Sequence, residues 1–193
     1  LGEVKTNLEI AQKLAVENKV LAFDSQYHKS DHSIEVQIPF LQYFLNKDFK
    51  IVPILLGTQD PLTCQQIAKA LRPYFSPENL FVISTDFSHY PAYKDAFITD
   101  HLIADAIVTN NSEKFLNAVE NCTKKKIENL ATGCCSWPAV LTLMYLTEEM
   151  SGISYKQVLY KNSGDSQYGE MDKVVGYYAL SVLQQKSGSM VIT

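Results

Sequence analysis

The sequence predicts an α/β fold of three layers, in which helices cover both faces of a mostly parallel central sheet. Residues 50–56 (KIVPILL) and 80–85 (LFVIST) are apolar throughout, as strands buried on both faces are. Segments with helical periodicity alternate with these strands, and such alternation is typical of a parallel sheet. The length of 193 residues and the 46% hydrophobic content suit one domain with a substantial core.

Apolar residues spaced by three and four positions predict the helices. Asn7 can cap the first of them, and Pro39 suits the first position of a helix that starts within residues 32–45. The predicted helices are residues 6–19, 32–45, 60–71, 94–108, 112–119 and 138–150. The remaining predicted strands are residues 20–23, 155–160 and 174–183, and a loop rich in Gly, Asp and Ser covers residues 162–172.

Composition and charge exclude several classes of protein. With 17 basic and 21 acidic residues the net charge is −4, so a broad basic face for nucleic acid is not expected. No apolar run approaches the roughly 18–20 residues of a membrane span, and no signal peptide is evident. Four cysteines without CxxC spacing indicate reduced thiols, and we therefore expect a cytoplasmic protein.

The strongest candidate for chemistry follows the predicted strand 80–85, where ligand sites of α/β sheets lie. Asp86 and His89 are three residues apart, so the carboxylate could orient the imidazole for general acid–base work, with Ser88 between them lining the same site. The alternative is that Asp86 and Ser88 cap the next helix and that His89 packs in its surroundings.

A second group is His28-x3-His32-x2-Glu35, whose members would share one face of a helix. This arrangement suits a divalent metal, and with His89 it could furnish two histidines and a carboxylate, or His32 and Glu35 could line a substrate pocket with His89. The alternative is a set of solvated loop residues, and we favour it for His28.

Two further features leave alternatives open. Cys134 lies just before the predicted helix at Pro138, where it could be a reactive thiol or a small buried apolar residue. The turn at residues 162–166 contains Asp165 and Ser166, which could supply a ligand or face solvent.

Several common catalytic motifs are absent from the sequence. It contains no GxSxG, GxGxxG, GxxxxGK[ST] or HExxH pattern. A serine hydrolase built on Ser84 or Ser88 is therefore the least favoured of the enzyme hypotheses.

Six motifs, in order along the chain, resemble those of the Memo family, also known as the B component of the AmmeMemoRadiSam system. They are residues 31–40 (DHSIEVQIPF), 51–57 (IVPILLG), 81–90 (FVISTDFSHY), 132–134 (TGC), 160–165 (YKNSGD) and 174–177 (VVGY).

The resemblance implies a fold similar to that of class III extradiol dioxygenases, which hold non-haem iron with two histidines and one carboxylate. In that scheme a separate histidine is the acid–base group, and His89 stands at its position, with Asp86 beside it. The third metal ligand would come from Asp165 or Ser166. Iron or copper is the cofactor that the resemblance implies for an intact family member.

The family's first two metal histidines belong to motifs resembling PHAGYxYSG and GPSHH, and neither occurs in this sequence. The opening residues 1–4 (LGEV) resemble the stretch that follows those motifs. We therefore expect a single Memo-like domain over residues 1–193 that lacks the family's N-terminal third. We also expect that this chain alone holds neither iron nor copper tightly, and that unpaired strand edges favour self-association.

Two functions remain open from the sequence. The first is a metal-dependent oxidoreductase acting on a small aromatic or redox-active substrate, with His89 and Asp86 as the catalytic pair. His32, Glu35, Ser88 and Cys134 would then contact the substrate, and Asp165 would bind the metal. The second is a protein that binds a small molecule or peptide at a vestigial metal site without turnover.

Overall fold

The structure, a computed structural model, describes residues 2–185 and divides the chain into two compact units, Leu1–Ser84 and Thr85–Thr193. Helices and strands both occur, and one pair of strands is parallel, which confirms the α/β class. Whether the two units form one domain, as the sequence predicts, stays a prediction. No helix among residues 2–185 combines the length and the apolar character needed to cross a bilayer.

The first unit contains two short parallel strands and three helices. In chain order the elements are β1 (Lys5–Thr6), α1 (Leu8–Glu17), a 3-10 turn (Tyr27–Lys29), α2 (Ile38–Leu45), β2 (Lys50–Ile51), α3 (Pro61–Leu71) and a second 3-10 turn (Arg72–Tyr74). β1 pairs with β2 through Lys5 opposite Lys50 and Thr6 opposite Ile51.

Local sequence signals determine where these helices begin. The Asn7 side chain accepts a hydrogen bond from the Ile10 backbone N–H at 3.3 Å, which caps α1 as predicted. The Asp60 carboxylate caps α3 in the same way, and Pro39 lies in the first turn of α2. The buried apolar residues of this unit lie on α1 and α3: Leu14, Cys64, Ile67, Ala68 and Leu71.

Up to residue 185, the second unit consists of three helices and an antiparallel hairpin. Its elements are α4 (Tyr93–Val108), α5 (Ser112–Lys124), α6 (Trp137–Thr147), β3 (Ile153–Asn162), a 3-10 turn (Ser163–Asp165) and β4 (Gly176–Gln184). The pairing of β3 with β4 runs from Ile153 opposite Gln184 to Asn162 opposite Gly176.

The core of the second unit forms where α4 packs against both α5 and the hairpin, and α5 packs against α6. Phe87, Ile103, Phe115, Leu141 and Met144 each have at most 1% of their surface exposed. Burial of these side chains contributes to the hydrophobic stabilisation of this unit. The same core fixes the segment that precedes α4, which carries the candidate site.

Three predicted strands differ from the structure. Residues 20–23 and 80–85 form no strand, and of residues 50–56 only Lys50 and Ile51 do. An apolar run predicts burial, whereas a strand also needs a neighbour that supplies ladder hydrogen bonds. Among residues 2–185 no strand pairs with residues 80–85, and Leu80 and Val82 are exposed there.

Candidate functional site

The segment from Phe87 to His89 is held on both sides by backbone hydrogen bonds. On one side the His89 N–H donates to the Thr132 carbonyl at 2.9 Å, and the His89 carbonyl accepts from Ala131 at 3.0 Å. On the other side the Phe87 N–H donates to the Gly176 carbonyl, and the Gly176 N–H donates to the Ser88 carbonyl, both at 2.9 Å. The backbone under His89 is therefore fixed by two neighbouring segments.

Within this segment the structure brings Asp86 and His89 together. Their Oδ2 and Nε2 atoms are 3.3 Å apart, and 44% of the Asp86 side chain and 23% of the His89 side chain are exposed. A carboxylate in this position fixes the orientation of the imidazole. The predicted contact between these two residues is present, and their catalytic role stays a prediction.

Ser88 is anchored by a buried carboxylate that the sequence analysis did not single out. Asp100 Oδ1 accepts from the Ser88 N–H at 2.8 Å, and Oδ2 accepts from the Ser88 hydroxyl at 3.1 Å and the Tyr160 hydroxyl at 2.8 Å. Burial raises the pKa of Asp100, although these hydrogen bonds partly offset the effect. Ser88 is itself fully buried, so its hydroxyl faces Asp100 rather than solvent.

Gly176 makes room for that buried carboxylate. A Cβ atom at this position would overlap Asp100 Oδ2, so any larger residue would displace the side chain that holds Ser88. The sequence gives no sign of this contact, because Asp100 and Gly176 are 76 positions apart.

The residue after His89 has a strained backbone. Tyr90 has a φ angle of 74°, which is uncommon for a residue with a side chain. Its N–H donates to the Val174 carbonyl at 2.7 Å, and the Lys173 ammonium lies 4.6 Å from the centre of its ring. Strain of this kind clusters at functional sites. The observation therefore supports a functional role for the adjacent His89.

A cysteine that the sequence analysis did not select completes the cluster. The Cys135 N–H donates to the Asp86 carbonyl at 3.1 Å, and the Asp86 N–H donates to Cys135 Sγ at 3.3 Å. Cys135 Sγ, an Asp86 carboxylate oxygen and a His89 ring nitrogen all lie within 4.8 Å of one another. The available signal was the adjacent pair of cysteines, of which the structure buries Cys134 and exposes Cys135.

Cys134, the cysteine that the sequence analysis named as a candidate site residue, is fully buried. Burial raises the pKa of its thiol to about 12, so the thiol stays protonated at neutral pH. These observations agree with the alternative of a small buried apolar residue. A role for Cys134 in substrate binding stays a prediction.

Asp165 lies apart from this cluster and is engaged on both carboxylate oxygens. Oδ1 accepts from the Tyr93 hydroxyl at 2.7 Å, and Oδ2 accepts from the Asn162 N–H at 3.0 Å in a capping box. The Tyr93 hydrogen bond, followed by the Asn162 one, lowers the pKa of Asp165. In the described part of the chain Asp165 joins no group of three metal-ligating side chains. Its role as a metal ligand stays a prediction.

The remaining predicted site residues belong to the first unit. His32 Nδ1 and Glu35 Oε1 are 2.6 Å apart, and both side chains are exposed. The hydrogen bond to Glu35 raises the pKa of His32. Glu35 also lines a cleft of about 180 Å³ together with His28 and Asp31. This is smaller than the roughly 300–1,000 Å³ of ordinary ligand pockets. A site that these residues share with His89 stays a prediction.

Comparison with known proteins gives a consistent picture. A family model described as "Memo-like protein" matches residues 1–181. The MEMO1 family protein Ta0237 of Thermoplasma acidophilum is 33% identical over 182 residues, which are 93% of this chain and 63% of the relative. The MEMO1 family protein TV1383 of Thermoplasma volcanium is 31% identical over 185 residues, 96% of this chain and 65% of the relative. A MEMO1 family protein of Methanosarcina mazei is 31% identical over 185 residues, 94% and 65% of the two chains. The chain thus spans less than two thirds of the length of these relatives.

Proposed function

The chain belongs to the Memo family, and on that premise we propose that Asp86 and His89 move a proton to and from a small aromatic ligand. This would be the acid–base part of a dioxygenase-like oxidoreductase in the longer proteins of the family. The observation that carries the proposal is the contact between Asp86 Oδ2 and His89 Nε2 at 3.3 Å, on a segment held by neighbours on both sides.

The proposed step is a single proton transfer. The neutral imidazole of His89 takes a proton from a phenolic hydroxyl of the ligand, which leaves a phenolate and an imidazolium. The Asp86 carboxylate stabilises the imidazolium, and the reverse transfer restores both groups. A positioned acid–base group of this kind contributes on the order of 10²–10⁴-fold to a rate.

Three features of the surroundings support this role. The buried Asp100 carboxylate holds the backbone and hydroxyl of Ser88, which fixes the residue next to His89. Tyr90 keeps a strained backbone on the other side of His89. His89 is partly exposed, so a ligand in solution can reach its ring. A residue with only a packing role would need neither the strain nor the exposure.

The oxidative part of the reaction needs chemistry that Asp86 and His89 do not provide. Iron, when bound in a dioxygenase-like protein, activates oxygen and substrate. Both carboxylate oxygens of Asp165 are already engaged by hydrogen bonds from Tyr93 and Asn162, and no step of the proposal passes through a metal. The engaged oxygens of Asp165 also favour the second candidate function, which is binding of a small molecule or peptide without turnover.

The test uses 4-nitrocatechol, whose visible absorption differs between its protonated and ionised forms. The full chain is mixed with the probe in the presence of a chelator, at a pH where the free probe is protonated. We expect the bound probe to show the absorption of the ionised form. His89→Gln should remove this change and Asp86→Asn should weaken it, whereas the control His28→Gln should leave it intact.

The outcomes separate the two candidate functions. An ionised probe that depends on His89 supports proton transfer. Binding of the protonated probe, unchanged in His89→Gln, would reject proton transfer and support a binding protein. The absence of binding, or an ionised probe in His89→Gln, would contradict the proposal outright.

A further inference from the structure

The cluster of Asp86, His89 and Cys135 contains three different metal-ligating groups on the second unit. One carboxylate oxygen, one ring nitrogen and one sulfur atom all lie within 4.8 Å of one another. We infer that this cluster is a three-ligand site for a divalent cation of the zinc class. The site differs in every ligand from the one at Asp165 that the family resemblance implies.

The geometry agrees with tetrahedral coordination. Zinc lies about 2.0–2.3 Å from nitrogen, oxygen and sulfur ligands, so pairs of ligand atoms around it are about 3.3–3.6 Å apart. The Asp86 Oδ2 and His89 Nε2 atoms are 3.3 Å apart already. Cys135 Sγ is within 4.8 Å of both groups, so a shift of about 1 Å brings it into the coordination sphere.

Backbone hydrogen bonds position the ligands before any ion binds. Cys135 and Asp86 exchange two hydrogen bonds, from the Cys135 N–H to the Asp86 carbonyl and from the Asp86 N–H to Cys135 Sγ. The Ser136 N–H also donates to Thr85 Oγ1 at 3.0 Å, so the two segments are joined at neighbouring positions. The His89 backbone is paired with Thr132, three residues before Cys135. The protein therefore has little conformational entropy to lose when an ion binds.

The set of ligands selects the class of metal. A thiolate and an imidazole favour zinc and its transition-metal neighbours, whereas magnesium and calcium take oxygen ligands. The thiolate and the carboxylate together balance the charge of a divalent ion. Three protein ligands leave a fourth position for water or another molecule, as in catalytic zinc sites. Cys135 is exposed and the other two side chains are partly exposed, so an ion in solution can reach the site.

This inference does not rest on the proposed proton transfer, and the two roles exclude each other at His89. Nε2 faces Asp86, so Nδ1 is the nitrogen that would accept the ligand's proton. A metal bound to Nε2 of the neutral ring leaves Nδ1 protonated, so zinc is an inhibitor of that transfer. The sequence-based expectation of weak iron or copper binding counted Asp165 as the ligand that this chain supplies. The site inferred here uses three other residues.

Cobalt is the probe for this site, because its bond to a thiolate gives a charge-transfer absorption that zinc lacks. The full chain is reduced, freed of metal and titrated with Co²⁺. We expect one equivalent to bind with a cobalt–thiolate band that Zn²⁺ abolishes. Cys135→Ser should remove the band, and His89→Gln and Asp86→Asn should each weaken cobalt binding by more than tenfold, since even loss of an outer-shell partner costs about 10–100-fold. Cys122→Ser is the matched control and should keep the band.

A second measurement needs no variant. Alkylation of the native chain by iodoacetamide, followed by mass spectrometry, reports each cysteine separately. Zn²⁺ should slow alkylation of Cys135, the cysteine that is exposed, and should leave the three buried cysteines unchanged. Three results would each overturn the inference. They are the lack of a thiolate band in the wild-type chain, a band that persists in Cys135→Ser, and alkylation of Cys135 at the same rate with and without Zn²⁺.

Discussion

The helices α2 and α6 have similar apolar composition and opposite burial. In α2, of the first unit, no residue is buried, and Phe40, Tyr43 and Phe44 have 65%, 74% and 76% of their surface exposed. In α6, of the second unit, most residues are buried, and Leu141 and Met144 have no exposed surface. Apolar composition alone therefore does not determine which helix forms part of a core.

Long-range partners explain the burial of α6. Its last residue, Thr147, shares a hydrogen bond of 2.7 Å with the Tyr155 hydroxyl of β3. The Asn110 side chain, between α4 and α5, accepts from the Thr147 hydroxyl at 2.8 Å and donates to its carbonyl at 3.2 Å. The second unit thus fixes α6 against several elements, and the candidate site lies in this better-buried unit.

Two phenylalanines offer the largest test of this contrast. Phe115 is fully buried on α5, so Phe115→Ala should lower the free energy of unfolding by about 3–5 kcal/mol. Phe44→Ala on α2 should change it by less than about 0.5 kcal/mol, because Phe44 is largely exposed. Urea unfolding followed by circular dichroism and by the fluorescence of Trp137 measures both. Equal losses in the two variants would contradict the contrast in burial.

A pair of glycines provides the next test. Gly176→Ala should destabilise the protein by about 1–3 kcal/mol, because the added methyl group overlaps the buried Asp100 carboxylate. Gly57→Ala in the first unit meets nothing within 4 Å and should be neutral or slightly stabilising. Thermal unfolding of the two variants compares them. If Gly176→Ala were as stable as wild type, Asp100 would be able to move away from residue 176 without loss of stability.

Two aspartates should give opposite dependences on pH. Burial raises the pKa of Asp100 above 3.8, so its contribution is fully present below that value and is lost as pH rises through the folded-state pKa. Hydrogen bonds from Thr63 lower the pKa of Asp60, so its contribution is present above 3.8 and is lost as pH falls through the folded-state pKa.

The stability of Asp100→Asn and Asp60→Asn, each compared with wild type across acidic pH, tests this contrast. Wild type should lose stability relative to Asp100→Asn as pH rises above 3.8, and should gain stability relative to Asp60→Asn as pH rises toward 3.8. If the stability of wild type relative to each variant changed in the same direction as pH rises, the environment of Asp100 would not be the one described.

The smallest effect is expected at the exposed pair of the first unit. Glu35→Gln should lower the pKa of His32 toward 6.5, because the hydrogen bond to Glu35 is the main cause of its rise. The stability should not change measurably, since both side chains are exposed. An NMR titration of the His32 ring measures the pKa, with Glu9→Gln as a control. An unchanged pKa in Glu35→Gln would show that the pair does not form in solution.

Local sequence signals predicted the helices well. The cap at Asn7 and the proline at position 39 mark helix starts that need only nearby residues. The strand predicted at residues 80–85 was wrong because strand formation depends on a distant partner, which an apolar run does not specify.

The candidate site likewise combines one local contact, which the sequence could predict, with long-range contacts, which it could not. The contact between Asp86 and His89 could be predicted, because the two residues are three positions apart on one segment. The approach of Cys135 to Asp86 joins residues 49 positions apart, and that of Gly176 to Asp100 depends on the whole hairpin. Long-range packing creates these contacts, so local spacing in the sequence could not reveal them.

The central claim is that the second unit holds the acid–base group, at His89. The most direct measurement is an NMR spectrum of the ring nitrogens of the four histidines, recorded with and without 4-nitrocatechol in the presence of a chelator. We expect one ring, assigned by its loss in His89→Gln, to change from the neutral to the protonated form when the probe binds. Protonation of His32 in place of His89, or no change in any ring, would contradict the account.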